Sequence, residues 1–130
     1  MEERAFRGSL FRVRPLLAVA IGGAAGGLIR TALGEISSHW PWPTLLVNIF
    51  GSFVLGLVVV YGRRHWPAAV IAGVAVGLLG SLTTFSTMAG ELWDAVDTGA
   101  WGILASYGLA SVVGGALAAV AGIRIGRAVR

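Results

Sequence analysis

Between Gly80 and Thr87 the chain reads Gly80-Ser81-Leu82-Thr83-Thr84-Phe85-Ser86-Thr87, with five hydroxyl side chains at Ser81, Thr83, Thr84, Ser86 and Thr87. Gly73, Gly77 and Gly80 lead into it, and without it residues 68–93 would read as one hydrophobic helix. Glycine and short hydroxyl side chains both weaken a helix, the first through entropy and the second by competing for backbone groups. The stretch therefore predicts a break. Irregular backbone at membrane depth survives only if it lines a cavity or is buried in protein, because lipid satisfies no N–H or C=O. A broken helix of this kind offers free carbonyls to cations and free N–H groups to anions. The chemistry expected here is ion binding.

Other polar residues sit where hydrophobic packing does not explain them, and polar groups in hydrocarbon are expensive and usually functional. Thr44, Asn48 and Ser52 fall at i, i+4 and i+8, which stacks them on one helix face. That stripe reads either as a hydrophilic path or as glue between helices, where one amide bond contributes about 1 kcal/mol. Tyr107 and Ser111 repeat the four-residue spacing and supply a second set of donors. Phe85 and Met88, three apart after the break, share a face, and a ring has a positive edge that can meet a small dehydrated anion. Arg30, one turn beyond Gly26, admits two readings: snorkelling to the interface, or a buried structural or vestibule role. Glu91 is either a vestibule carboxylate or an interfacial one, and Asp94 and Asp97 read as solvated loop residues.

The elements that position these residues follow from composition. Hydrophobic residues make up 56% of 130 and charged ones 12%, with a mean hydropathy of +0.81. So few charges cannot keep so apolar a surface in water, and the chain reads as an integral membrane protein of one domain. With no cysteine and two histidines, thiolate metal sites, disulfides and redox chemistry are excluded. No HExxH motif or paired-carboxylate cluster supports catalysis, and no GxxxxGK[ST] couples the chain to ATP. The net charge of +4 comes with ten basic residues that are all Arg. Nearly all flank hydrophobic runs, as anchors to lipid headgroups do, and none forms the interleaved basic and aromatic face of a nucleic-acid groove.

Four hydrophobic segments are expected as helices at about 15–33, 44–61, 67–93 and 99–123; the first two fall in the lower part of the roughly 17–25 residues that cross a bilayer, and the last two slightly exceed it, which tilt or a break absorbs. All five Trp, at positions 40, 42, 66, 93 and 101, fall at segment ends, where amphipathic rings settle at headgroup level. The basic start followed by an apolar run also has the pattern of a signal peptide; three further segments and the extension of that run to Leu33 favour a first span. Gly22/Gly26, Gly23/Gly27 and Gly73/Gly77 repeat every four residues, as faces for close helix approach do.

In combination these residues resemble the Fluc/CrcB fluoride-channel family along nearly the whole chain. Gly22-Gly23-Ala24-Ala25-Gly26-Gly27-Leu28-Ile29-Arg30 is similar to its GGxxGAxxR opening. Thr44-Leu45-Leu46-Val47-Asn48-Ile49-Phe50-Gly51-Ser52-Phe53 is similar to its TLxVNxxGSF signature. Gly80 to Thr87 with Glu91 is similar to its GxxTTFSTF…E signature. The resemblance implies an all-α membrane protein of four transmembrane helices, the third broken near Gly80–Thr84, packed as an antiparallel dimer. It implies two narrow fluoride pores and one structural Na+ where the third helices cross. By motif, Gly80 and Thr83 would give backbone carbonyls to Na+. Asn48 would be the central pore amide, Phe85 the first ring of a paired-phenylalanine box, Tyr107 and Ser111 the fourth-helix donors, and Thr44 an entrance residue. Met88 departs from the family, which usually has its second Phe there; a thioether is polarisable but lacks a ring's positive edge.

Two other classes fit parts of the pattern. A small multidrug or guanidinium exporter needs an intramembrane carboxylate, which the apolar spans of the first two segments lack. A non-transporting subunit would explain the glycines and leave the Thr, Asn, Tyr and Ser stripes unexplained.

With four crossings, the N-terminus, residues 62–66 and the C-terminus share one side, which carries Arg4, Arg7, Arg12, Arg14, Arg63, Arg64, Arg124, Arg127 and Arg130 against Arg30 alone on the other. Arg-rich flanks stay cytoplasmic, so both termini are expected inside at the cell membrane. An antiparallel homodimer needs a nearly balanced count. The imbalance favours fixed orientation and pairing with a homologous subunit of opposite bias. Reporter fusions at Arg130 should be active on one side of the membrane only; equal populations on both sides would remove the obligate partner.

Overall fold

The computed structural model describes residues 2–36 and 38–129, with side chains from Val13 onward except at position 37. Arg130 and the side chains of Arg4, Arg7 and Arg12, which entered the charge count, lie outside the described residues. The described residues form helices and the turns between them: α1 (Glu2–Gly34), α2 (Trp42–His65), α3 (Ala68–Asp97) and α4 (Trp101–Ala128). Each includes a stretch long and apolar enough to cross a membrane, which in α1 is Val13–Gly34. The chain is all-helical and multi-pass.

Local chemistry sets the helix ends. Pro41 precedes α2 and Pro43 lies in its first turn, where a missing N–H leaves no bond unmade. Trp66 is extended (φ −112°, ψ 147°), as the residue before a proline is biased to be, and α2 stops there. At the end of α3, Gly99 takes φ 68°. Ala100 N–H then reaches Ala95 O at 2.8 Å and Gly99 N–H reaches Val96 O at 3.1 Å. This left-handed glycine cap satisfies the last carbonyls and turns the chain into α4. Asp94 and Asp97 lie within α3 and not in the loop after it.

The third helix is interrupted. Thr83 (φ −73°, ψ 145°) and Thr84 (φ −143°, ψ 120°) are both extended, while Gly80 keeps helical angles of −64° and −29°. The break thus falls at the far end of the Gly80–Thr84 stretch. Two β-branched residues in succession tolerate extended backbone well, and Thr84 is a good first cap for the half-helix Phe85–Asp97. Two wide, π-type stretches were not foreseen, at Val58–Gly62 in α2 and Ala72–Leu79 in α3.

Packing runs through backbone, because lipid tails are as apolar as side chains and give helices no hydrophobic reason to associate. The parallel pair α1 and α3 meets at Gly22, Gly26, Gly73 and Gly77. A β-carbon on Gly77 would lie 2.6 Å from Val19 O, and one on Gly22 or Gly26 would overlap the carbonyls of Gly73 or Leu78. The parallel pair α2 and α4 meets in the same way at Gly56 against Ala119 and Gly122 against Phe53. Gly51 serves a different contact: a β-carbon there would overlap the Thr83 methyl, so its absence lets the break dock against α2. Few large side chains are buried, chiefly Val58, Leu79, Leu82 and Tyr107.

Overpacking of a tight contact typically costs about 1–3 kcal/mol. Gly122→Val should therefore lower the thermal midpoint in detergent or abolish monodisperse elution. Gly102→Ala, with nothing within 4 Å of the added carbon, should change neither.

Candidate ion site

The break is held by a side chain of another helix. Thr84 N–H donates to Asn48 Oδ1 at 2.8 Å, and Asn48 Nδ2 donates to Thr84 O at 3.0 Å. A carboxamide carries a donor and an acceptor at peptide-like spacing, so Asn48 pairs with the extended residue as a neighbouring strand would. Because a backbone N–H can only donate, the pairing also fixes which way the amide points. On the other side of the break, Thr84 Oγ1 accepts from Thr87 N–H at 3.1 Å and donates to Thr87 Oγ1 at 3.0 Å. Thr83 closes the first half-helix twice on one acceptor, its N–H and its Oγ1 reaching Leu79 O at 3.0 and 2.9 Å.

These bonds have a consequence for the carbonyls. In an uninterrupted helix Thr84 N–H would bond Gly80 O, and Thr87 N–H would bond Thr83 O. Here both donors go to side chains, which leaves Gly80 O and Thr83 O without their ladder partners. Among the described residues no three His, Asp or Glu side chains gather to hold a metal. A cation at the break would draw its oxygens from the backbone, and these two carbonyls are among those set free, since Ser81 O and Leu82 O likewise lose the N–H groups of Phe85 and Ser86. Hard oxygen donors suit Na+.

Beside the break lies a cavity of about 280 Å³ lined by Asn48, Gly80, Thr83, Phe85, Met88 and Ser111, among others. Ser111 Oγ is buried and has no hydrogen-bond partner among the described residues. Phe85 is 78% exposed, on a face of α3 that none of the described residues covers. Thr84, itself buried, lines this cavity and also a cleft of about 300 Å³ with Arg30, Thr44 and Thr87. Thr44 and Thr87 in turn line a wider cleft of about 710 Å³ with Glu91 and His39. Hydroxyls thus mark a route from the wide cleft to the break.

The structure divides the expected residues into two groups. Asn48, Gly80, Thr83, Phe85, Met88 and Ser111 share the inner cavity. Thr44, Glu91 and Tyr107 form the second group. Thr44 Oγ1 and Tyr107 OH donate to the two oxygens of Glu91, at 2.7 and 2.5 Å. Glu91 is therefore a bonded junction of α2, α3 and α4 and not a free interfacial carboxylate. Arg30 is exposed and lines the middle cleft. Two contacts were not anticipated from the sequence. Thr84 lies within the expected break, but its part as helix cap and as partner of Asn48 was not assigned, although the Thr-x-x-Thr spacing of a helix cap signals the first. Trp40 packs edge-on against Tyr107 with centroids 5.6 Å apart and reaches Ser106 Oγ at 3.2 Å; nothing local announces a contact across that much chain.

A family model for CrcB-like protein, Camphor Resistance (CrcB), matches residues 17–123. That range takes in the second and third spans whole, most of the first and last, and every residue of both groups. The chain belongs to the CrcB/FluC fluoride channel family. Its relatives include Fluoride-specific ion channel FluC 1 of Mycobacterium bovis, 39% identical over 111 residues, which is 81% of this chain and 84% of the relative. Fluoride-specific ion channel FluC of Bordetella petrii is 38% identical over 118 residues, 88% and 92% of the two chains. The protein of the same name from Rhodospirillum centenum is 38% identical over 122 residues, 86% and 97%. The CrcB/FluC family is one of ion channels and not of enzymes, in keeping with the lack of catalytic constellations in the sequence.

Because Thr44 and Tyr107 share one acceptor, their contributions should not add. Tyr107→Phe or Thr44→Val alone should destabilise by about 1–3 kcal/mol, through loss of a bond to a charged group. The double variant should show a coupling of about 0.5–3 kcal/mol. Additive shifts in detergent melts would separate the two residues.

Proposed function

We propose that this chain forms a fluoride-specific ion channel that lowers cytoplasmic fluoride by passive export. Membership of the CrcB/FluC family carries the reading, since its relatives are named fluoride-specific ion channels. The unpartnered hydroxyl and the hydroxyl-marked route support it. Fluoride holds water tightly, so a pore must replace its hydration shell with donors in series, each weak enough to let go. The second N–H of Asn48 and the hydroxyl of Ser111 are donors that no bond among the described residues consumes. The Phe85 ring edge adds a partial positive charge beside them. A buried hydroxyl without a partner costs about 1–3 kcal/mol, which a passing anion offsets. A narrow bore disfavours larger chloride. Thr44 stands at the entrance, where Glu91 holds it, and Arg30 serves the vestibule.

The same reading includes a second subunit of this family, antiparallel and homologous more readily than identical, over the exposed Phe85 face. It includes a structural Na+ on the Gly80 and Thr83 carbonyls, which would lock the two breaks where they cross. Both termini lie in the cytoplasm. A multidrug-type exporter would want a carboxylate free to bind a cation, and Glu91 is occupied by two hydroxyl donors.

Liposomes loaded with fluoride and carrying the purified protein should empty, while chloride-loaded ones stay full. Equal efflux of both ions, or of neither, would sink the proposal. Met88→Phe should hold or raise fluoride flux relative to chloride if a ring edge assists at that level. A fall in both flux and discrimination would show a pore repacked around the thioether.

A further inference from the structure

We infer that Asn48 is a positioning residue for the cation site: by taking the Thr84 N–H, it keeps the Gly80 carbonyl out of the helix ladder and available to Na+. The inference rests on the channel reading above and adds to it a link between the pore amide and the ion at the break.

The argument is one of competing acceptors. Thr84 N–H has two possible partners, Gly80 O at the helical position and Asn48 Oδ1 on α2, and it takes the second at 2.8 Å. Since a buried N–H must bond something, removing Oδ1 returns it to Gly80 O by closing the helix through Thr84. The donor side of the same amide holds Thr84 O at 3.0 Å and resists that closure from the other end of the residue. Thr83 does not compete for Gly80 O, because both of its donors are on Leu79 O. Gly51 lets α2 come near enough for Asn48 to reach across, since a methyl there would meet Thr83. Thr84 Oγ1 does for Thr83 O what Asn48 does for Gly80 O, by capturing Thr87 N–H. Each proposed carbonyl ligand is thus freed by one side-chain acceptor.

The two roles of Asn48 separate by substitution. Asn48→Asp keeps an acceptor for Thr84 N–H and loses every N–H, so it should keep Na+ and lose fluoride. Asn48→Leu loses both, and so does Asn48→Ser, whose side chain ends short of Thr84. The measurement is the Na+ midpoint for stabilisation of the purified, assembled protein in thermal melts, with K+ holding ionic strength constant. Fluoride efflux from liposomes is measured alongside.

Asn48→Asp should match or tighten the wild-type Na+ midpoint while efflux falls. Asn48→Leu should raise the midpoint by about tenfold, the equivalent of one net hydrogen bond, and Asn48→Ser decides the matter should the leucine variant fail to fold. A wild-type midpoint in Asn48→Leu or Asn48→Ser overturns the inference, as does loss of Na+ stabilisation in Asn48→Asp. A wild-type protein that carries fluoride yet shows no Na+ midpoint also overturns it, and leaves the channel reading standing. One that binds Na+ but carries no fluoride ends the channel reading, while the Na+ titrations still decide the role of Asn48.

Discussion

A peptide group without a partner is intolerable in hydrocarbon, and the rest of this structure depends on how the break in α3 meets that constraint. Opening a helix at Thr83 and Thr84 frees several N–H and C=O groups at a depth where no water waits for them. The Asn48 carboxamide takes one N–H and one C=O, and the Thr84 hydroxyl takes a second N–H. Two of the donors are thereby settled, while the N–H groups of Phe85 and Ser86 and several carbonyls of the first half-helix lose their ladder partners.

The glycine contacts serve the same end. A carboxamide has a short reach, so Asn48 can clamp Thr84 only if α2 and α3 stand close, and Gly51 removes the one atom that would hold them apart. Gly22, Gly26, Gly73 and Gly77 seat α1 against α3 ahead of the break, while Gly56 and Gly122 seat α2 against α4. Two parallel pairs joined backbone to backbone form a rigid frame. The antiparallel α2–α3 contact then carries the polar residues from Thr44 and Glu91 inward to Asn48 and Thr84. Glu91 ties three helices at the outer end of that contact, with Trp40 closing over Tyr107.

Much of this was legible in the sequence because its causes are local. Hydropathy marks spans wherever a run is long enough, and the four-residue spacing of glycines marks faces meant for close approach. Five hydroxyls and three glycines in a hydrophobic run mark a break, and Asn48 is conspicuous as the one carboxamide among apolar neighbours. Partner choice is less visible. Tyr107 and Ser111 share a helix face, yet one bonds Glu91 while the other is left without a partner beside the inner cavity. Which of two stacked hydroxyls is consumed depends on what stands opposite, and the stripe alone does not say. The π-type stretches escape sequence reading for a related reason: they widen the helices where a neighbouring helix packs.

Sequence alone determined the class of the molecule, four apolar spans with a polar interruption in the third, since each follows from the run of residues along one chain. It also set the inventory of donors, because residue type decides whether a side chain can give or accept a proton. Tertiary structure decided the allocation. It put the break on the Thr83–Thr84 pair, gave the Asn48 amide to the Thr84 backbone, gave Tyr107 and Thr44 to Glu91, and left Ser111 and carbonyls at the break unspent. The physical reason is that a hydrogen bond is a relation between two groups, and in this chain the partners that matter come from different helices.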